Sequence, residues 1–171
     1  MDNGIQITRR FKGQISEQEI EQINDIEQDC IHDPAPIITK EEIVDYFTNR
    51  GDVINYVIND AQNSHVVGYV TLVHLEDKWY VANIAIRRDC RRKGYGEKAL
   101  KMVDSDIGCN SIKLRVVEVH CSTDNDPARI LYQKLGYVIT QRLHDHYSEG
   151  VDAFVLRKEV QPWNKNKLNK I

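Results

Sequence analysis

Apolar residues recur at two different spacings along the chain, and each spacing predicts a different kind of element. Alternating apolar and polar residues, or short apolar runs, predict strands in the segments IQITRRF, VINYVIND, VVGYVTLVHL, WYVANIAI, SIKLRVVEV, YVITQRL and DAFVLRKEV. Spacings of three and four residues predict helices in SEQEIEQINDIEQ, TKEEIVDYF, GEKALKMVDSDI and DPARILYQKLG. No linker or internal repeat interrupts these elements. The pattern therefore predicts one mixed α/β domain.

Residues that start or stop helices bound the predicted helices. Capping boxes are expected at Ser16–Glu19 and at Thr39–Glu42, because each has a hydroxyl three residues before a glutamate. Gly108 is expected to end the third helix. Asp126 is expected to cap the fourth helix, and Gly136 is expected to follow its last turn.

The strand WYVANIAI runs into the basic, glycine-containing turn RRKGYG, and a helix follows. The apolar composition of this strand predicts burial on both faces. A helix start leaves about four backbone N–H groups without partners, and these groups attract anions. Gly94 and Gly96 let an anion approach the backbone, while Arg91, Arg92 and Lys93 add positive charge. The turn is suited to a pyrophosphate, although a solvated helix cap is the simpler interpretation from the turn alone.

Composition limits which partners the chain can have. A net charge of −3 over 171 residues gives no global attraction to nucleic acid or to an anionic membrane, so any anion site has to be local. The longest apolar run, Val66–Val73, is far too short to cross a bilayer. The segment MDNGIQITRRF lacks the apolar stretch of a secretion signal, and the four cysteines have no C-x-x-C spacing. We therefore expect a reduced, cytoplasmic protein.

Two motifs resemble those of the GNAT superfamily of N-acetyltransferases. The segment IAIRRDCRRKGYGEKAL is similar to the family's [RQ]-x-x-G-x-[GA] pattern after a strand. The segment NDPARILYQKLGY is similar to its N-x-x-A-x-x-x-Y-x-x-x-G-[FY] pattern after the next strand. The resemblance covers roughly residues 68–160. It implies a mostly antiparallel sheet of six to seven strands flanked by about four helices, with a domain at residues 1–160 and a polar, basic tail at 161–171.

The family resemblance implies acetyl-CoA as the cosubstrate. Its pantetheine arm would pair with main-chain atoms of Ile84 and Ile86, and the Ile86 N–H would stabilise the oxyanion. Asn125 matches the asparagine that contacts the pantetheine. Tyr132 matches the tyrosine that protonates the departing thiolate. The pyrophosphate would lie on the turn formed by Arg91, Arg92, Lys93, Gly94, Tyr95 and Gly96, with Glu97 as a further contact.

The position of the general base narrows the resemblance. Some family members use a glutamate on the strand before the turn, but Tyr80 stands at that position here. A subgroup that acetylates protein N-terminal α-amines pairs a tyrosine at this position with a histidine, which matches His120. Tyr80 and His120 would lie on neighbouring strands and hold a water that accepts the amine proton. Glu118, on the same strand face as His120, is the alternative base.

The acceptor is the least constrained part of the resemblance. In the same subgroup, tyrosines in the last hairpin hold the peptide backbone; Tyr147 matches one of them, and His146 stands where a second often occurs. The segment EQDCIHDPAPIITKEE does not resemble the subgroup's substrate-reading loop. A protein N-terminal α-amine is the leading acceptor. A small-molecule amine, or a non-catalytic acyl-CoA-binding module, is the alternative.

No metal, nucleic acid or membrane partner is expected. His144 and His146 share a predicted strand face, but two ligands without a third are poor support for a metal site. The expected state is a monomer or a homodimer.

Overall fold

The computed structural model describes residues 4–30, 37–110 and 115–162. The strands are β1 Ile5–Arg10, β2 Val53–Asp60, β3 Val66–His74, β4 Trp79–Ile86, β5 Val116–Ser122, β6 Val138–Ser148 and β7 Val151–Glu159. The helices are α1 Glu17–Asp29, α2 Lys40–Val44, α3 Tyr95–Asn110 and α4 Asp126–Lys134. A π-helical turn, Asp45–Asn49, extends α2, and a 3₁₀ turn, Arg88–Cys90, precedes α3. This order confirms the predicted sequence of elements.

All seven strands form one sheet in the order β1-β2-β3-β4-β5-β7-β6. Neighbouring strands are antiparallel except β4 and β5, which are parallel and are connected through α3. The predicted mixed, mostly antiparallel sheet flanked by four helices is therefore confirmed.

Two apolar clusters cover the two faces of the sheet. Tyr56 and Ile58 of β2 belong to the cluster beneath α3 and α4, whereas Val57 between them belongs to the cluster beneath α1 and α2. Successive residues of a strand point to opposite faces, so this alternation places the helices on both sides. The α1 stripe is buried as its spacing predicts, with Ile23 and Ile26 nearly inaccessible.

The helix boundaries agree with the predicted signals in part. Both capping boxes form, with the Ser16 and Thr39 side chains accepting from the backbone N–H three residues on. Gly136 follows α4 at a φ of +89°, where glycine has no Cβ penalty. The prediction for Gly108 is wrong, because α3 continues to Asn110. The prediction for Asp126 is also wrong: Asn125 caps α4, since its side chain accepts from the Ala128 N–H across 3.2 Å.

The expected burial of β4 on both faces is wrong. Only Val81 is fully buried in this strand, and the other seven residues are half-buried. A bulge accounts for part of the difference, because Asn83 pairs with Thr71 while Val81 pairs with Leu72, which leaves Ala82 without an opposite residue. In addition, β4 pairs with β5 only at residues 79–81, so most of the strand has no neighbouring strand on that side.

Two predicted segments lie partly outside the described residues. They are the start of the predicted strand SIKLRVVEV, at residues 111–114, and the predicted tail, which is described only at residues 161 and 162. Among the described residues, no helix combines the length and the apolar character needed to cross a membrane.

Candidate functional site

Strands β4 and β5 separate partway along their length. They pair only at residues Trp79–Val81 of β4 and Val117–Val119 of β5. Beyond this point β4 continues to Ile86 and stays paired with β3, while β5 continues to Ser122 and stays paired with β7. The sheet therefore opens between the ends of two neighbouring parallel strands, and both exposed edges carry main-chain hydrogen-bonding groups.

The main chain of Ile86 faces this opening. The Arg87 N–H donates to the Val67 carbonyl of β3 across 2.9 Å. Because N–H and C=O point in opposite directions across a peptide unit, the Ile86 carbonyl faces away from β3. The Ile86 N–H and the main-chain groups of Ile84, two residues earlier, face the same way. These residues thus present a main-chain edge to the opening, at the position that the family resemblance assigns to pantetheine.

The turn between β4 and α3 presents a run of N–H groups without acceptors. The Arg91 N–H donates to the Arg88 carbonyl at 3.2 Å, and the Lys98 N–H closes the first helical turn on Gly94 at 3.0 Å. Between them, no backbone N–H of residues 92–97 has an acceptor among the described residues. Positive φ angles at Arg92 and Gly94, +64° and +81°, curve this run into a concave nest. Such a nest binds anions.

The side chains of the turn have two different orientations. Arg92 and Lys93 are exposed to solvent. The Arg91 guanidinium instead points back to β4, with its Nε donating to the Ile86 carbonyl at 2.9 Å and its Nη2 lying 3.0 Å from the Cys30 thiol. Glu97 pairs with Lys101 and Lys134, and these ion pairs lower its pKa to about 2. Arg91 and Glu97 therefore anchor the turn.

Gly96 lies where α3 approaches the opening. A Cβ at this position would lie 3.5 Å from Leu131 Cδ2 and 3.8 Å from Ile86 Cγ1, which are ordinary contact distances. The protein itself therefore has room for a methyl group there. A glycine at this position leaves the backbone accessible on the side of the unpaired N–H groups.

Tyr80, Glu118 and His120 meet at the point where the strands separate. Tyr80 of β4 pairs in register with Glu118 of β5. The Tyr80 and His120 rings contact edge to face, with centroids 5.1 Å apart, and His120 Nε2 lies 3.2 Å from Glu118 Oε1. The predicted tyrosine and histidine thus flank the same site. Burial, reinforced by the Glu118 carboxylate, raises the pKa of Tyr80 to about 12.

Glu118 is a buried carboxylate held by two cations. Its Oε2 accepts from Arg157 Nε at 2.6 Å, and Lys78 Nζ lies 3.0 Å from Oε1. Burial alone would raise the pKa of Glu118, but the hydrogen bonds from Lys78 and Arg157 outweigh it and leave the pKa lowered. A carboxylate with two cationic partners is a weak proton acceptor. Burial lowers the pKa of His120, although Glu118 opposes this shift. The imidazole is therefore unprotonated near neutral pH, and compared with the cation-bound Glu118 it is the better base.

Tyr132 and Tyr147 approach the same region from α4 and β6. Tyr132 is 4% exposed, and burial raises the pKa of its hydroxyl strongly, with further contributions from the neighbouring Cys121, Tyr147 and Tyr80. Burial likewise raises the pKa of Tyr147. The Tyr132 hydroxyl is therefore protonated throughout the physiological range. Asn125 uses its Oδ1 for the helix cap, which leaves its Nδ2 without a partner among the described residues.

The sequence did not identify His146 as a contact of the base. His146 Nε2 lies 3.1 Å from His120 Nδ1, and its ring also contacts that of Tyr147, with centroids 4.8 Å apart. His144 instead pairs with Asp152 at 3.2 Å. The two histidines thus have different partners. The described residues contain no group of three or more His, Cys, Asp or Glu side chains able to hold a metal ion.

The family model "Acetyltransferase (GNAT) family" matches residues 20–137. An N-alpha-acetyltransferase of Saccharolobus solfataricus is 29% identical over 114 residues, which cover 57% of this chain and 65% of that protein. The ribosomal-protein-S18-alanine N-acetyltransferase from Escherichia coli superimposes with a TM-score of 0.76 at 16% identity, covering 95% of this chain and 97% of that one. Arabidopsis thaliana NAA60 in complex with acetyl-CoA has a TM-score of 0.73 at 17% identity, covering 91% and 98%. Both structural matches share the fold.

Proposed function

Because the chain belongs to the acetyltransferase (GNAT) family, we propose that it transfers acetyl from acetyl-CoA to a primary amine, with a protein N-terminal α-amine as the leading acceptor. One observation carries the proposal: a base candidate, His120, lies where β4 and β5 separate, on a sheet whose β4 leads directly into a turn of N–H groups that have no acceptors among the described residues. An acyl transfer to an amine needs these two sites next to each other.

The residues of the turn and of β4 fit acetyl-CoA. The unpaired N–H groups of residues 92–97 would hold the pyrophosphate, and Arg92 and Lys93 would add charge at its rim. The free main-chain edge at Ile84 would pair with the pantetheine amides, as an added strand does. The Nδ2 of Asn125 is a further donor on the opposite side of the opening. When bound, the cosubstrate supplies an acetyl group activated as a thioester.

The chain's own groups would then assist attack by the amine. The Ile86 N–H faces the opening and would donate to the thioester carbonyl oxygen as negative charge develops there. His120 would remove the amine proton, with Tyr80 ordering the site beside it. The Tyr132 hydroxyl would donate its proton to the departing thiolate. Proton transfer of this kind contributes about 10²–10⁴-fold to a rate.

An N-terminal α-amine is favoured by the base and by the relatives. Tyr80 and His120 contact each other, and no carboxylate other than the cation-bound Glu118 adjoins His120 among the described residues. The Saccharolobus protein is named an N-alpha-acetyltransferase, and the Escherichia coli protein acts on the alanine of ribosomal protein S18. Tyr147, half-buried and in ring contact with His146, would hold the peptide backbone.

An acceptor panel tests the proposal. Purified protein is incubated with acetyl-CoA and peptides that have a free N-terminus, and the released CoA thiol is measured. Matched peptides with a blocked N-terminus and an internal lysine, a polyamine, an aminoglycoside and free amino acids serve as comparisons. Saturable release with the free N-terminus alone supports the proposal. Turnover with only a small amine would show that a small-molecule amine, and not a protein N-terminus, is the acceptor. Tight acetyl-CoA binding without any turnover would indicate a non-catalytic acyl-CoA-binding module.

A further inference from the structure

Two imidazoles are in direct hydrogen-bond contact at the candidate site. His120 Nδ1 lies 3.1 Å from His146 Nε2, and the ring centroids are 4.9 Å apart in an edge-to-face arrangement. His120 is half-buried on β5, whereas His146 is exposed on β6. The pair therefore connects the interior of the site with solvent.

The partners of His120 determine where its proton lies. Its Nε2 lies 3.2 Å from Oε1 of Glu118, whose lowered pKa keeps it a carboxylate that only accepts. Neutral His120 therefore carries its proton on Nε2, and its Nδ1 has a lone pair. Since a hydrogen bond needs one donor, His146 Nε2 must donate to His120 Nδ1. The only basic nitrogen of His120 thus points at His146 and not into the open groove.

We propose that His146 relays the acceptor's proton to His120. The inference rests on the proposed function, because it concerns the proton that the amine loses. The proton leaves the amine nitrogen, directly or through one water, and binds His146 Nδ1. The bond from His146 Nε2 to its own proton then breaks as that proton binds His120 Nδ1. His146 ends neutral, and His120 becomes an imidazolium beside the Glu118 carboxylate. Return of the proton along the same path releases it to solvent through the exposed His146 ring.

Glu118 is the one neighbour that favours charge on the inner imidazole, and it acts against burial, which lowers the pKa of His120. Glu118 is the carboxylate in contact with His120, and its oxygens also accept from Lys78 and Arg157. The titratable or charged groups that face the pair come from β4 and the turn before it, β5, β6 and β7: Lys78, Tyr80, Glu118, Tyr147 and Arg157. Lys78 and a positive charge on His146 both lower the pKa of His120, so a proton on the outer imidazole disfavours a second proton on the inner one.

Three variants separate a relay from a purely structural role. His146→Ala removes the donor and the carrier, whereas His146→Gln keeps an N–H donor but cannot carry a proton. We expect kcat at neutral pH to fall about 100-fold in both variants, with KM for acetyl-CoA unchanged. Added imidazole restores His146→Ala and not His146→Gln. His144→Gln is the matched control, because His144 pairs with Asp152 and lies outside the contact, so its kcat stays at the wild-type value. Wild-type activity in His146→Gln would overturn the relay.

Nitrogen-15 NMR of the imidazoles tests the same arrangement without turnover. At neutral pH we expect His120 with its proton on Nε2 and a bare Nδ1, and we expect the pKa of His120 to rise in His146→Ala, because a donor to its neutral form is lost. A proton on His120 Nδ1, or an unchanged pKa, overturns the relay. If the wild type transfers acetyl but His120 carries its proton on Nδ1, or its pKa does not change in His146→Ala, only the relay is contradicted. A wild type that transfers acetyl to no amine would contradict the proposed function, and the relay with it.

Discussion

Arg91 donates its Nε–H to the Ile86 carbonyl across 2.9 Å, and this bond ties the turn between β4 and α3 to the end of β4. The Ile86 carbonyl is one of the main-chain groups that face the opening. Because it accepts from Arg91, this carbonyl already has a hydrogen-bond partner within the protein. The same guanidinium contacts the Cys30 thiol at the end of α1. One side chain thus connects the turn, the strand and the helix on the opposite face.

Replacing Arg91 tests this anchoring. Arg91→Lys keeps the charge but loses the planar fork that reaches both Ile86 and Cys30. We expect acetyl-CoA to bind about tenfold more weakly, a loss of about 1.4 kcal/mol, as measured by calorimetry. Arg50→Lys is the control, because Arg50 pairs with Asp52 at the surface. Equal affinity of Arg91→Lys and wild type would show that the turn keeps its shape without the guanidinium.

The two glycines of the turn are expected to act through different causes. Gly94 has a φ of +81°, so Gly94→Ala forces a residue with a Cβ into the left-handed region, at a cost of about 1–2 kcal/mol in the free energy of unfolding. Gly13→Ala, at a φ of +72° with open space around it, should lose similar stability while acetyl-CoA affinity is unchanged. Thermal unfolding and calorimetry measure the two quantities separately.

At Gly96, in contrast to Gly94, we expect a substitution to change acetyl-CoA binding more than the stability of the fold. A methyl group there meets only ordinary contacts with Leu131 and Ile86, so Gly96→Ala should unfold close to the wild-type temperature. We expect Gly96→Val to weaken acetyl-CoA binding, because its larger side chain extends toward the unpaired N–H groups. If Gly96→Ala and Gly96→Val both bind acetyl-CoA as tightly as the wild type, the pyrophosphate lies elsewhere.

The order of elements and the two capping boxes at Ser16 and Thr39 follow local pattern, and the sequence predicted them. That Tyr80 and His120 lie on neighbouring strands at one site was implied by the family resemblance. The exposure of β4 was not predictable, because composition reports what a strand can bury and not whether its neighbour diverges. Asn125 and Asp126 are both good cap residues, so their order at the start of α4 could not be distinguished. His146 was missed because β6 is irregular there: Asp145 has a φ of +50° and the register shifts between Leu143 and Ser148, so strict alternation does not predict its direction.

Tyr132→Phe tests the acid. Removing the hydroxyl leaves the ring packing intact, so we expect kcat to fall about 100-fold while acetyl-CoA affinity stays within twofold of wild type, by steady-state kinetics and calorimetry. Tyr137→Phe is the matched control, because the Tyr137 ring lies 5.7 Å from that of Tyr132 and its buried hydroxyl has no partner among the described residues. A full kcat in Tyr132→Phe would remove this residue from the proton transfer.

Glu118→Gln tests the electrostatics around the base. The pKa of His120 lies below its ordinary value of 6.5, and Glu118 raises it against the effect of burial. A base must be unprotonated, so kcat/KM falls as pH decreases through this pKa. Removing the carboxylate lowers the pKa further, and we expect the acid limb of the pH–rate profile to move to lower pH. Asp52→Asn, at the surface, should leave the limb in place. A shift of the limb to higher pH in Glu118→Gln would contradict the assignment of His120.

The most direct measurement is a crystal structure of the protein with acetyl-CoA. We expect pyrophosphate oxygens to accept hydrogen bonds from the N–H groups of residues 92–97, and the pantetheine to lie between β4 and β5. The thioester carbonyl should accept from the Ile86 N–H, with the sulfur within hydrogen-bond reach of the Tyr132 hydroxyl. Acetyl-CoA bound elsewhere, or a thioester remote from both Ile86 and Tyr132, would contradict the account.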